Sequence, residues 1–145
     1  MRTLILIWLV VMMVFTHPSK VFAGTTYGDK EDVIVISVHD GDTFTVLIPD
    51  WPGVVSKIPV RVYGIDTPEL RGKCPVESQK ASLARTFAKL FLVGNKVTLK
   101  NIRRDKYFRL LADAYVGEKS LSDELIAIGL AVPYFGGKQS VWCAV

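Results

Sequence analysis

The chain has 145 residues, half of them hydrophobic, and a formal net charge of +4. This length is enough for one domain but not comfortably for two. With only two histidines and two cysteines, the composition argues against zinc clusters and against histidine-based nucleophile schemes.

The N-terminal 23 residues predict a secretory signal peptide. Arg2 precedes an unbroken apolar run over residues 4–15, and small residues allow cleavage after Ala23. The alternative is an uncleaved anchor, but a helix over that run would be only about 18 Å long, against a hydrocarbon core of about 30 Å. We therefore expect export, periplasmic or secreted, without stable membrane association after cleavage. Cleavage removes Arg2 and Lys20 and no acidic residue, which leaves a formal charge of +2.

The first half of the mature chain predicts a polar lead-in followed by a meander of three strands. Residues 24–32 form the lead-in, and the domain follows over 33–145. β-branched residues and apolar–polar alternation indicate the strands, which we expect at residues 33–38, 43–48 and 59–65. Two prolines within residues 49–53 predict a loop, because proline cannot donate to a strand ladder.

The second half combines helical and strand patterns. Ala84, Phe87, Ala88 and Phe91 follow the spacing of an amphipathic helix that begins near Pro75. Two further strands are expected over 96–101 and 109–116, and a capping box begins a short helix at Ser120. The order indicates a mainly β, α+β fold: a five-stranded OB-fold Greek-key barrel with a helix after strand three and a short helix after strand five.

Three polar segments offer the chemistry of phosphodiester hydrolysis, which needs a hard cation, a base and fixed positive charges. Carboxylates suit calcium and guanidinium groups suit phosphate. Taken singly, each segment is more typical of a turn or a solvated face. Arg61 could simply pair with Asp66 or Glu69, and Arg109 with Asp113. The segments cover residues 38–43, 61–69 and 103–109.

In order and spacing, these segments resemble the staphylococcal nuclease (thermonuclease) family over about residues 33–134. The motifs that carry the resemblance are Asp40-Gly41-Asp42-Thr43, Arg61 followed by Asp66-Thr67-Pro68-Glu69, and Asp105-Lys106-Tyr107-Phe108-Arg109.

The resemblance implies a site for one Ca²⁺ ion. Asp42 and Asp66 would be its ligands, together with the backbone carbonyl of Thr67. Asp40 would tune the site from nearby, and Glu69 would be the general base that acts on the attacking water.

The resemblance also implies substrate contacts. Arg61 and Arg109 would grip the phosphate, Lys106 and Tyr107 would lie near a terminal phosphate, and Tyr134 would contact a base or sugar. The implied activity is endo- and exonucleolytic hydrolysis of DNA and RNA by a monomer, with a preference for single strands and with 3′-phosphate products.

Three features bear on how closely the chain follows the family. Phe108 stands where the family usually has glycine, so the turn before Arg109 is expected to differ or to be strained. A third, C-terminal helix typical of the family has no matching segment in this sequence. Cys74 and Cys143, as an even pair in an exported chain, are expected to form a disulfide that pins the C-terminal tail, with two buried free thiols as the alternative.

A different class of protein stays open at this point. A catalytically inactive OB-fold module that binds nucleic acid or protein would share the barrel. It would not need the carboxylates and arginines, all of which are present here, and this favours the enzyme.

Overall fold

The computed structural model describes residues 26–138 and 140–143. The predicted signal peptide and residues 24 and 25 of the predicted lead-in lie outside the described residues. In chain order the elements are β1 (Lys30–Asp40), β2 (Thr43–Trp51), β3 (Val54–Val62), β4 (Ile65–Asp66), α1 (Pro75–Leu92), β5 (Val97–Arg104), β6 (Leu110–Val116), β7 (Lys119–Ser120), α2 (Leu121–Ala127) and β8 (Val132–Pro133).

Five of these strands form a closed barrel. They are hydrogen-bonded in the order β3-β2-β1-β5-β6, and a parallel pairing of β3 with β6 closes the sheet. Closure leaves no long free edge, which is how small antiparallel barrels avoid edge-to-edge association. The predicted α+β barrel is confirmed, with α1 before β5 and α2 after β6.

The core fills the barrel and the space under the helices. Alternate residues of β2 and β3 point inward, as the period of a strand requires, and α2 contributes two leucines. The largest fully buried side chains include Phe44, Val46, Val60, Leu121 and Leu125.

Helix α1 packs on the barrel through small residues, beginning at Pro75 as predicted. Ala81, Ala84, Ala88 and Leu92 are buried, whereas Phe87 and Phe91 are partly buried and stack on each other with ring centroids 6.0 Å apart. No helix in the described part of the chain is long and apolar enough to cross a bilayer.

The β2–β3 hairpin is longer than predicted: of the predicted loop over residues 49–53, only residues 52 and 53 form the turn. The ladder continues through Pro49, which lies opposite Val55. β1 pairs with β2 only as far as Leu47. Beyond that point β2 has a partner on one side only, so a residue without an N–H group is tolerated there.

Two other predicted boundaries shift. The lead-in was expected to extend to residue 32, but β1 begins at Lys30, which pairs with Leu99 of β5. The third strand was expected to run to Ile65, but it ends at Val62, and Gly64 adopts a φ of 80°. This turn breaks the alternation that sequence reasoning assumed and buries Ile65.

Ser120 begins α2 by accepting a hydrogen bond at its side-chain oxygen from the N–H of Asp123, at 3.3 Å. We expect Ser120→Ala to lower the free energy of unfolding by about 1 kcal/mol, because a helix N–H loses its acceptor. Urea unfolding measures the change. Ser82→Ala, on the exposed face of α1, is the control and should stay within about 0.5 kcal/mol of the wild type; equal effects would contradict the capping role.

Candidate active site

The turn between β1 and β2 is packed tightly beneath α1. A Cβ atom at Gly41 would lie 2.8 Å from the Cβ of Ala84 and 3.0 Å from Cγ2 of Thr67. Glycine is therefore required for the turn to approach both the helix and the Thr67 segment. This close approach brings Asp42 beside Thr67, although 25 residues separate them.

Asp42 is a buried carboxylate with three donors. Its oxygens accept hydrogen bonds from Nη1 of Arg61 at 2.9 Å, from Oγ1 of Thr43 at 2.9 Å and from the N–H of Thr67 at 3.2 Å. Burial raises the pKa of Asp42, while the charge of Arg61 and the hydrogen bonds from both threonines oppose that rise. The carboxylate is thus withdrawn from water but well partnered.

Asp66 lies on the other side of the same guanidinium. Nη2 of Arg61 is 3.6 Å from Oδ1 of Asp66, and the N–H of Ser140 donates to Oδ2 at 3.2 Å. The backbone of Asp66 is fixed by pairing of β4 with β8, where it lies opposite Val132. Arg61 therefore joins the two carboxylates that the family resemblance implies as metal ligands.

Glu69 is exposed beside this pair. Its pKa is raised by burial and then by the charges of Asp40, Asp42 and Asp66, with Arg61 opposing. Three other carboxylates and one guanidinium thus act on Glu69. Such an excess of negative charge, offered by oxygen donors alone, fits a hard divalent cation. Asp42, Asp66 and Thr67 are the residues that could hold it.

A groove of about 540 Å³ runs from these carboxylates to the turn before β6. It brings together most of the residues that the sequence predicted for substrate binding and catalysis, whose individual roles stay predictions. These are Arg61, Asp66, Glu69, Lys106, Tyr107, Arg109 and Tyr134. Of the other predicted site residues, Asp42 contacts Arg61 and the N–H of Thr67, and Asp40 ends β1.

Arg109 is held by its own turn. Asp105 accepts hydrogen bonds from Nε of Arg109 at 2.8 Å and from the N–H groups of Tyr107 and Arg109 at 2.8 and 3.0 Å. The alternative pairing of Arg109 with Asp113 is wrong, since Asp113 accepts from the side chain of Asn101 at 2.7 Å. The Asp105 carboxylate is therefore what aims Arg109 into the groove.

Phe108 adopts a φ of 63°, in the region that glycine favours. Its ring is 79% exposed and is not among the side chains that line the groove. The N–H of Phe108 donates to the carbonyl of Asp105 at 3.1 Å and closes the turn. Arg109, the next residue, nevertheless lines the groove.

Sequence reasoning missed two contributors to the site. Phe135, 75% exposed, lines the groove and packs edge-on against Tyr63 at 5.7 Å between centroids. Ser140 contacts Asp66 through its backbone. The neighbouring aromatic residues Tyr134 and Phe135 are a sequence signal that could have indicated Phe135. The contact of Ser140 has no such signal, because it is made by a backbone N–H.

The disulfide expected between Cys74 and Cys143 is present, with an S–S distance of 2.08 Å. Together with Glu77 these residues form a compact cluster of atom types that can bind metals. Because both sulfurs are bonded to each other, neither is a thiolate ligand. The disulfide instead fixes the tail to the N-terminus of α1, directly after the loop that carries Glu69.

The Asp105 carboxylate makes a pH-dependent contribution to stability. Although burial opposes it, the hydrogen bonds from Arg109 and Tyr107 lower the pKa of Asp105 below its ordinary value of 3.8. Ionised Asp105 therefore stabilises the folded chain above that ordinary value, and this stabilisation is lost as the pH falls through the lower folded-state pKa.

We accordingly expect Asp105→Asn to be less stable than the wild type at pH 7, and the difference to shrink as both proteins are acidified toward pH values of about 3. Urea unfolding across this range measures it. Glu118→Gln, an exposed change in the turn before β7, should differ little from the wild type at every pH. If the difference in free energy of unfolding between Asp105→Asn and the wild type does not narrow in acid, this account is refuted.

The strain at Phe108 can be separated from its ring. We expect Phe108→Gly to raise the free energy of unfolding by about 1 kcal/mol, since a left-handed conformation costs other residues roughly that much. Phe108→Ala is the matched control: it removes the ring but keeps the strain, and should gain nothing. Thermal and urea unfolding of both variants measure the effect. Equal stabilities of Phe108→Gly and Phe108→Ala would contradict a strained turn.

The sequence is similar to a known family and to several known proteins. A family model described as staphylococcal nuclease homologue matches residues 59–141. The thermonuclease of Staphylococcus hyicus is 33% identical over 112 residues, which cover 75% of this chain and 63% of that protein. The thermonuclease of Staphylococcus intermedius is 36% identical over 104 residues, 70% of this chain and 58% of that protein.

A third relative, named "Probable endonuclease LCL3", from Colletotrichum graminicola, is 28% identical over 129 residues, 74% of this chain and 47% of that protein. The chain spans about three-fifths of the length of the two thermonucleases it matches.

Proposed function

The chain belongs to the staphylococcal nuclease homologue family, and on that premise we propose that it is an exported, calcium-dependent nuclease. It hydrolyses phosphodiester bonds of DNA and RNA, prefers single strands, leaves 3′-phosphate ends and acts as a monomer. The observation that carries the proposal is the cluster of Asp42, Asp66 and Glu69 around Arg61 at the end of a groove that Arg109 also lines.

Each residue has a chemical task in this proposal. Glu69 is exposed at the groove wall and takes the proton of the attacking water. Arg61 and Arg109 donate to the phosphate oxygens as charge accumulates on them, and guanidinium is suited to this because it stays protonated and donates in a plane. Ca²⁺, held by Asp42, Asp66 and the carbonyl of Thr67, would neutralise phosphate charge.

The rest of the groove suits a nucleotide chain. Lys106 and Tyr107 supply a cation and a ring at one end, with the Lys106 ammonium 5.0 Å from the ring centroid. Tyr134 stands at the other side, where its hydroxyl donates to the carbonyl of Gly137 at 3.0 Å. Aromatic faces accept any base by stacking, so we expect little sequence specificity.

The decisive experiment is cleavage of a fluorescent single-stranded oligonucleotide by residues 24–145, with Ca²⁺ and with EDTA. We expect cutting only with Ca²⁺, and products whose 3′ ends carry phosphate by mass spectrometry. Binding without cutting under every divalent ion tried would contradict the proposal and indicate a nucleic-acid-binding barrel. Export is tested separately: N-terminal sequencing of the exported protein should begin at Gly24.

We expect Glu69→Gln to lower kcat by about 100- to 10,000-fold, the range that a general base contributes. Its affinity for the oligonucleotide in EDTA should not fall, because the amide keeps the shape of the carboxylate and removes a negative charge beside the phosphates. Glu118→Gln serves as the control and should retain full activity. Wild-type kcat in Glu69→Gln would exclude Glu69 as the base.

A further inference from the structure

A second groove, of about 390 Å³, adjoins the first at Asp66 and Glu69, which line both. One of its walls is the loop between Glu69 and α1. The other is the C-terminal tail. Beyond the shared carboxylates, the side chains that matter for its chemistry are Arg71, Lys73, Lys138 and Trp142.

The tail wall is a built feature. The disulfide from Cys143 to Cys74 anchors one end, and the N–H of Ser140 donates to Asp66 at 3.2 Å. Trp142 is half-buried, and the Lys80 ammonium lies 5.7 Å from its ring centroid. Three separate contacts thus hold the tail beside the carboxylates.

The loop wall is equally well defined. Glu77, buried in α1, accepts a hydrogen bond from the N–H of Lys73 at 2.7 Å. A Cβ atom at Gly72 would lie 2.6 Å from the side chain of Glu77, so the loop can wrap over Glu77 only because residue 72 is glycine. This arrangement uses the Glu77 carboxylate internally and turns the flanking Arg71 and Lys73 side chains outward, where both are exposed.

The exposed charge of the second groove, apart from the shared carboxylates, is therefore cationic. Arg71, Lys73 and Lys138 are all exposed, and none forms an ion pair within the part of the chain that the structure describes. Unpaired cations along a groove are the usual means of holding a phosphate backbone.

We propose that this second groove binds the sugar–phosphate backbone of the substrate on one side of the scissile phosphate. The inference rests on the proposed function. Because Asp66 and Glu69 line both grooves, a single strand that occupies both passes directly over them. The two grooves then hold one continuous strand. A bond inside the strand is therefore cut in preference to the bond at one of its ends, because cleavage at that end leaves the second groove empty. Contacts to phosphates do not read base identity, so the groove extends the site without adding sequence preference.

The first test measures binding in EDTA, which needs no catalysis. The probe is a fluorescent single strand of about eight nucleotides, within the site size of one OB fold. The variant is Arg71→Ala/Lys73→Ala/Lys138→Ala. We expect its affinity at about 0.1 M salt to fall roughly 100-fold, and the slope of log affinity against log salt to decrease by roughly 2, since each phosphate contact on a single strand contributes about 0.7.

The matched control is Lys57→Ala/Lys89→Ala/Lys96→Ala, which removes the same charge from exposed positions outside both grooves. Its affinity and salt slope should stay close to the wild type. If the two triple variants bind alike, net charge alone explains the effect and the second groove is not a binding site. Lys138→Arg should retain wild-type binding, because it keeps the cation on the tail.

The second test uses oligonucleotides in which one linkage is cleavable, placed at the 5′ end, at the 3′ end or centrally. For the groove variant we expect a raised KM with unchanged kcat on the central substrate and on one terminal substrate. KM should be unchanged on the other terminal substrate, which leaves the second groove empty. A uniform change in KM on all three would overturn the proposal. If the wild type cuts none of them, the proposed function fails, while the binding test still decides on the groove.

Discussion

The ion pairs that Arg61 makes with two buried aspartates are the interaction on which the rest of the site depends. Asp42 is 3% exposed and Asp66 is 4% exposed, and burial of an uncompensated carboxylate costs several kcal/mol. One guanidinium, together with N–H and hydroxyl donors, makes that burial possible. The single positive charge of Arg61 does not balance the negative charge of the cluster, since Glu69 and Asp40 add two more carboxylates. The fold thus tolerates an electrostatic excess where a divalent cation would be useful.

The barrel explains why residues far apart in the chain meet there. Parallel pairing of β3 with β6 sets Arg61 opposite Leu111, two residues from Arg109, so closure of the barrel brings both arginines to one groove. Packing of Gly41 against Ala84 and Thr67 brings Asp42 to Arg61. Strands β3 and β6 and the packed helix α1 support these contacts, and such supports hold a site in fixed geometry.

The C-terminal tail has two roles that follow from one covalent bond. In the chain-entropy model a disulfide that closes a loop of this length stabilises the fold by about 4 kcal/mol, which is a large fraction of the stability of an ordinary domain. The same bond brings Ser140 to Asp66 and forms a wall of the second groove. Stability and the shape of the site are therefore coupled through Cys74 and Cys143, and the loop that carries Glu69 shares the anchor.

The sequence predicted the barrel, both helices, the cysteine pair and most of the polar residues of the first groove, because each rests on local pattern or on a motif with fixed spacing. It misjudged Pro49, Lys30 and the turn at Gly64, where the outcome depends on which strands lie alongside. It did not predict that Arg109 pairs with Asp105, that Phe135 enters the groove or that Ser140 contacts Asp66. Those contacts depend on barrel closure and on the disulfide, which join segments that no local pattern connects.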